Sequence, residues 1–122
     1  MSHLLTTNAI TFDDYQQLTA TTAIYPEAGS GSAQALAYVA LGLVGEAGEV
    51  ANKVKKVLRD SNGEVSDEVR EALVGELGDV MWYLARLATE LQTSSGNVAQ
   101  ENLNKLLSRK ERGVLGGSGD QR

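Results

Sequence analysis

Residues 32–60, SAQALAYVALGLVGEAGEVANKVKKVLRD, and residues 66–92, SDEVREALVGELGDVMWYLARLATELQ, decide the fold. In the first stretch Leu36, Val39, Leu43, Ala47, Val50, Val54 and Val57 recur at spacings of three and four, which gathers them on one face of a helix. In the second, Val69, Leu73, Leu77, Val80, Leu84, Leu87 and Leu91 keep the same rhythm. Ser61-Asn62-Gly63 interrupts the pattern as a tight turn. Ser66 is placed to cap the second helix, with Asp67 and Glu68 where the helix dipole favours negative charge. Two long helices folded back on each other are predicted.

Shorter elements flank this hairpin. Thr11 can cap a helix running through Asp13, Asp14, Tyr15 and Leu18 toward Ala23. Tyr25-Pro26 ends it, and Glu27 to Ser32 (EAGSGS) has the composition of a flexible loop. After the Thr93-Ser94-Ser95 break a last helix carries Val98, Leu103, Leu106 and Leu107 and ends near Arg112-Gly113. Residues 1–10 read as an irregular lead-in, and residues 113–122 as a glycine-rich, flexible tail. No segment alternates with period two, so strands are not expected. The expected fold is all-α: one domain over residues 1–122, with two long helices and shorter ones in a four-helix-bundle-like arrangement. One hairpin and two short helices cover the long apolar faces poorly, so completion by self-association is expected.

Composition removes several function classes. With no cysteine there is neither a disulfide framework nor a thiolate zinc site, and the single histidine, His3, makes other zinc sites improbable. A net charge of −5 and a pI near 4.8 leave the chain as a whole without a nucleic-acid footprint. No apolar run approaches ~20 residues, and the N-terminus lacks a signal-peptide pattern. A cytoplasmic protein without membrane or nucleic-acid partners is expected.

Two acid pairs carry the chemistry. Glu46 and Glu49 lie three apart on the first long helix, and Glu76 and Asp79 three apart on the second, so each pair shares a helical face. The pairs 46/79 and 49/76 are both centred on 62.5, at the Asn62-Gly63 turn. In an antiparallel hairpin, residues equidistant from the turn lie at one height, so all four carboxylates should gather at one level. Four such groups require protons or cations to neutralise them, and oxygen-only ligands suit Mg2+, with Mn2+ as a substitute. Mg2+ shares its remaining positions with waters and phosphates, which points to phosphoanhydride chemistry. Isolated acid pairs of this spacing are usually solvated surface; the matched height and the glycines beside them argue for more. Gly42, Gly45, Gly48, Gly75 and Gly78 each cost about 1 kcal/mol relative to alanine in a helix interior. Missing side chains beside the acids allow either close helix approach or room for a nucleotide.

Cations and aromatics follow on the same helices. Lys53 and Lys56 lie beyond Glu49, and Tyr83 and Arg86 beyond Asp79. Ordinary helix-surface ion pairing explains Lys53 and Arg86 as well as function does, whereas Lys56 extends the acid-lined face toward phosphates. Trp82 and Tyr83 could stack on a base, with a core or subunit-interface role for Trp82 equally open. Asn102, Lys105 and Arg109 share a face of the last helix, and with Arg122 they could donate to phosphates or sugar, although such a cluster taken alone is more often a solvated stripe.

The chain resembles the MazG-like all-α nucleoside triphosphate pyrophosphohydrolases, whose signature is E-x-x-E, a spacer and E-x-x-D. It stands here as Glu46-Ala-Gly-Glu49, twenty-six residues, and Glu76-Leu-Gly-Asp79. LGLVGEAGEVANKVKK, ELGDVMWYLARLA and the C-terminal NLNKLLSRKERG and SGDQR are similar as well. The resemblance implies Mg2+-dependent hydrolysis of a (deoxy)nucleoside triphosphate between the α and β phosphates, giving a monophosphate and pyrophosphate for nucleotide-pool control or cleansing. It implies Glu46, Glu49, Glu76 and Asp79 as metal ligands, with Glu46 or Glu49 as the base. By the same resemblance Lys53 and Lys56 face the phosphates, Asn102 and Lys105 bind nucleotide, and the chain assembles as a homodimer or a tetramer of dimers; the tail, residues 113–122, is expected to be free to close on substrate. Phosphoribosyl-ATP pyrophosphohydrolase is the alternative within the family, and a non-enzymatic helical dimer or adaptor the alternative outside it. A di-iron bundle protein would need Glu-x-x-His motifs, which are missing here.

Overall fold

The computed structural model describes residues 10–122; residues 1–9, with His3 and nearly all of the lead-in, lie outside the described part. Among the described residues four α-helices follow one another: α1 (Phe12–Thr19), extended by a 3₁₀ turn (Ala20–Thr22), α2 (Ala33–Asp60), α3 (Asp67–Glu90) and α4 (Ser95–Glu111). No strand occurs among the described residues.

Each helix begins on a hydroxyl cap. The side-chain oxygens of Thr11, Ser32, Ser66 and Ser94 accept the N–H three residues on, at Asp14 (3.0 Å), Ala35 (3.1 Å), Val69 (3.2 Å) and Asn97 (3.0 Å). Such caps contribute about 1 kcal/mol each. At the hairpin turn Asn62 and Gly63 both take positive φ, +52° and +80°. That reversal lets the N–H groups of Ser61 and Gly63 both reach the Val57 carbonyl, which closes α2.

The long helices α2 and α3 pack along each other. Ala35, Val39 and Tyr25 are buried together, with Ala23, Trp82, Tyr83 and Leu87 packed against them. The heptad-like stripes read from the sequence are only partly covered. Val39 and Val57 are buried, but Leu77 and Leu84 of α3 remain more than half and half exposed. Leu41, Val44 and Leu58 on α2, and Leu103 and Leu107 on α4, are exposed as well.

The loop of residues 27–32 differs from its compositional reading, because Glu90 at the end of α3 holds it. The Glu90 carboxylate is almost fully buried and accepts the N–H groups of Gly29 (2.7 Å) and Gly31 (2.9 Å) and the Tyr25 hydroxyl. Buried Arg86 donates from Nε to that same hydroxyl (3.2 Å), and its guanidinium lies 5.8 Å from the centre of the Tyr25 ring. Gln16 fastens α1 to the same end of α3 and the start of α4, donating to Thr89 Oγ1 and the Thr93 carbonyl (both 3.0 Å) and accepting from Ser95 N. Asp13 accepts the Gly96 N–H (2.8 Å), which sets a negative charge at the start of α4.

Beyond α4 the tail has no regular structure, as expected, yet it is organised. Arg122 donates to the carbonyls of Val114, Leu115, Gly116 and Gly119 and draws the chain into a ring.

Candidate metal centre and adjoining cleft

The hairpin brings three of the four acids together. Glu46 on α2 and Glu76 on α3 are half-buried, Asp79 is exposed, and one carboxylate oxygen from each lies within 4.8 Å of the others. This is the height matching that the spacing about the turn predicts. Burial raises the pKa of Glu46, and the neighbouring Asp79, Glu76 and Glu49 carboxylates raise it further. Crowded acids of this kind need a counter-charge, and Lys53 supplies part of it, with Nζ 3.6 Å from Glu76 Oε1. The remaining demand fits a hard divalent cation, since the donor set is oxygen alone.

Glu49 stands apart. It is exposed and does not join the three-oxygen group, although its charge reaches Glu46. One turn of α2 separates the two glutamates, and only Glu46 points into the seam with α3.

A cleft of about 350 Å³ opens beside the acids, lined by Thr22, Glu46, Asp79, Trp82 and Tyr83. Gly42 explains the position of Tyr83: a Cβ there would sit 2.1 Å from the ring, so only glycine lets the phenol lie across α2. The other four glycines beside the acids, Gly45, Gly48, Gly75 and Gly78, face open space. Trp82 is fixed by its indole N–H, which donates to Thr22 Oγ1 at 2.9 Å. It also meets the Tyr25 and Tyr83 rings edge-on, at 6.2 and 5.0 Å between centroids. Burial raises the pKa of Tyr83, and Tyr38, Glu46 and Asp79 add to it; burial and then Asp79 do the same for Tyr15 on α1. Toward the hairpin turn a second hollow of about 300 Å³ is lined by Lys53, Lys56, Asp60, Ser61 and Glu68, among others. Aromatic side chains, acids and lysines thus succeed one another along the hairpin.

The remaining residues singled out from the sequence lie elsewhere in the single chain. Asn102 and Lys105 are exposed on α4 and do not line the acid cleft. Arg109 is buried under the tail, donating from Nη2 to the Asp120 carbonyl (2.9 Å) while its Nε has no partner among the described residues. Arg122 is spent on the tail's own carbonyls. Arg86 belongs to the buried Tyr25–Glu90 network, away from the acids. Sequence reasoning missed Thr22 and Tyr15 near the cleft, because no periodicity in a helix of eight residues says which face meets the hairpin.

No solved structure matches the chain. The chain is 59% identical over 111 residues to the "Gene 37 protein" of Mycobacterium phage L5, an alignment covering 90% of this chain and 97% of that protein. Residues 34–114, which hold both acid pairs and all of α4, match the MazG nucleotide pyrophosphohydrolase domain, and the chain belongs to that family.

Proposed function

We propose that this chain is a Mg2+-dependent nucleoside triphosphate pyrophosphohydrolase that adds water across the α–β phosphoanhydride and releases a nucleoside monophosphate and pyrophosphate. The observation that carries the reading is the convergence of Glu46, Glu76 and Asp79 between an aromatic cleft and a lysine-lined hollow. Those three carboxylates, with Glu49 one turn away, would hold the metal. A divalent ion held there would supply charge withdrawal from phosphate oxygens and a lowered pKa for a bound water.

The chain's own groups account for the rest. Lys53 and Lys56 meet the phosphates beyond the α position, where Lys56 is exposed and Lys53 is held by a single ion pair to Glu76. Glu46 and Glu49 are the two candidates for the group that takes the proton of the attacking water. Glu49 is favoured, because its oxygens stay outside the crowded trio. Positioning and charge complementarity dominate such chemistry.

The apolar outer surface of α2 and α3 supports a homodimer or a tetramer of dimers, since Leu41, Val44, Leu77 and Leu84 are each half-exposed or more among the described residues. In such an assembly Asn102 and Lys105 would approach the nucleotide of a neighbouring copy, and Arg109 and Arg122, here engaged with the tail, would join them as residues 113–122 rearrange to close over it. Residues 1–122 act as one domain in this reading, in the cytoplasm and on a deoxynucleotide by preference.

The test incubates purified protein and Mg2+ with ribo- and deoxynucleoside triphosphates and resolves the products, with Glu49→Gln alongside. Monophosphate plus pyrophosphate, lost in the variant, is expected. Diphosphate plus phosphate would overturn the cleavage position, and no turnover with Mg2+ or Mn2+ would favour a helical adaptor.

A further inference from the structure

We infer that the Thr22–Trp82–Tyr83 wall is the nucleoside subsite, with the indole of Trp82 as the surface on which the base stacks. The inference rests on the pyrophosphohydrolase reading for its substrate but on separate observations for its place. The cleft shares Glu46 and Asp79 with the acid group and extends from them toward the aromatic side chains, away from Lys53 and Lys56. A nucleotide whose phosphates face the lysines therefore directs its sugar and base into this cleft. Its volume of about 350 Å³ falls within the range of small-ligand sites.

The wall is held before any ligand arrives. The Tyr83 ring already rests against α2, in the space that Gly42 leaves by lacking a side chain. The indole N–H of Trp82 is engaged by Thr22 Oγ1, which in turn donates to the Thr19 carbonyl at 3.2 Å. Two roughly perpendicular aromatic contacts, with Tyr25 and Tyr83, steady the indole further. Trp82 packs against the Tyr25–Ala35–Val39 core but is only partly buried, and its remaining surface lines the cleft. Thr22 lies outside the region that matches the family, so this support for the indole comes from the N-terminal segment of the chain. Rigid aromatic surfaces recognise bases through their π-faces at low ordering cost.

Trp82 is the only tryptophan, so its fluorescence reports directly on the subsite. The full chain with Mg2+ is titrated with the α,β-methylene analogues of the four common deoxynucleoside triphosphates and, separately, with inorganic tripolyphosphate. Saturable quenching by at least one nucleotide analogue and none by tripolyphosphate is expected. Thr22→Val, which keeps the fluorophore, should weaken that nucleotide's binding at least threefold. Trp82→Leu should raise KM about ten- to a hundredfold with kcat changed only a few-fold, and Trp82→Phe should restore most of the loss. Equal quenching by tripolyphosphate, no quenching by any analogue, or an unchanged KM in folded Trp82→Leu would each overturn the subsite. Nucleotide-specific quenching without hydrolysis of any triphosphate would instead overturn the enzymatic reading and leave the subsite standing.

Discussion

Replacing Glu90 by glutamine tests how the scaffold is held. The native carboxylate is 3% exposed and accepts three hydrogen bonds, from Tyr25, Gly29 and Gly31. Bonds to a charged acceptor contribute about 1 kcal/mol more than neutral ones, so losing the charge costs roughly 3 kcal/mol over three bonds. The glutamine amide also turns a donor toward one of three donors, which adds about 1 kcal/mol or more. Against a typical total of about 5–15 kcal/mol this is a large loss, on the order of 10–15 °C in Tm for a chain of this size. Urea melts followed by circular dichroism, at pH 7 and one protein concentration, measure it. The pH dependence supplies a second readout. Burial pushes the Glu90 carboxyl up, but the bonds from Tyr25, Gly29 and Gly31 and the attraction of Arg86 outweigh it, and the net shift is downward. Around its ordinary pKa the unfolded chain therefore binds more protons than the folded one. The stabilisation is complete above about pH 4.5 and is lost as pH falls through the lower folded value. The gap between wild type and Glu90→Gln should narrow below pH 4.5. A difference under 1 kcal/mol at pH 7, or one that stays constant down to acid pH, would refute the argument.

Three further outcomes are expected. Glu46→Gln, Glu76→Gln and Asp79→Asn should each weaken Mn2+ binding, read by electron paramagnetic resonance, and lower kcat/KM by about a hundredfold or more, while melting at a similar temperature without metal. Gly42→Ala places a Cβ 2.1 Å from the Tyr83 ring and should lower the urea midpoint by the equivalent of about 1–3 kcal/mol, despite alanine's better helix propensity. Leu84→Glu, on the half-exposed face of α3, should shift the protein to a smaller species in light scattering and leave its helical content unchanged.

The hairpin was legible because its determinants are local. Four-and-three spacing, Ser32 and Ser66 as caps, and the Asn62-Gly63 turn each act within a few residues, and the observed helix ends fall where they indicate. The acid site was legible for a related reason: symmetry about a turn converts sequence distance into height, which brought Glu46, Glu76 and Asp79 together. Height does not give the angle about each helix axis, and Glu49 remains outside the trio for that reason. The glycines were read as one group, yet Gly42 alone meets a neighbour, and Gly45, Gly48, Gly75 and Gly78 face open space. The loop at residues 27–32 was misjudged because its order comes from Glu90, whose bonds to Gly29 and Gly31 cross 61 and 59 positions. Composition carries no trace of such a partner.

The buried network and the cleft form one mechanical unit. Glu90 fixes the Tyr25 hydroxyl, and the Tyr25 ring stacks on Tyr38 of α2 at 5.2 Å and meets Trp82 of α3 edge-on. Trp82 in turn is anchored to Thr22 on the turn that follows α1. Helices α2 and α3 are thereby braced at the end away from Asn62, where no covalent turn joins them. That brace matters for the acids, because three carboxylates repel when no cation is bound and would otherwise splay the seam. A buried Arg86–Tyr25–Glu90 cluster is an expensive way to stabilise a helix pair, since apolar residues of similar volume often do as well. Its value here is directional: hydrogen bonds fix the angle of the aromatic wall relative to Glu46 and Asp79, which greasy packing alone would leave free to drift.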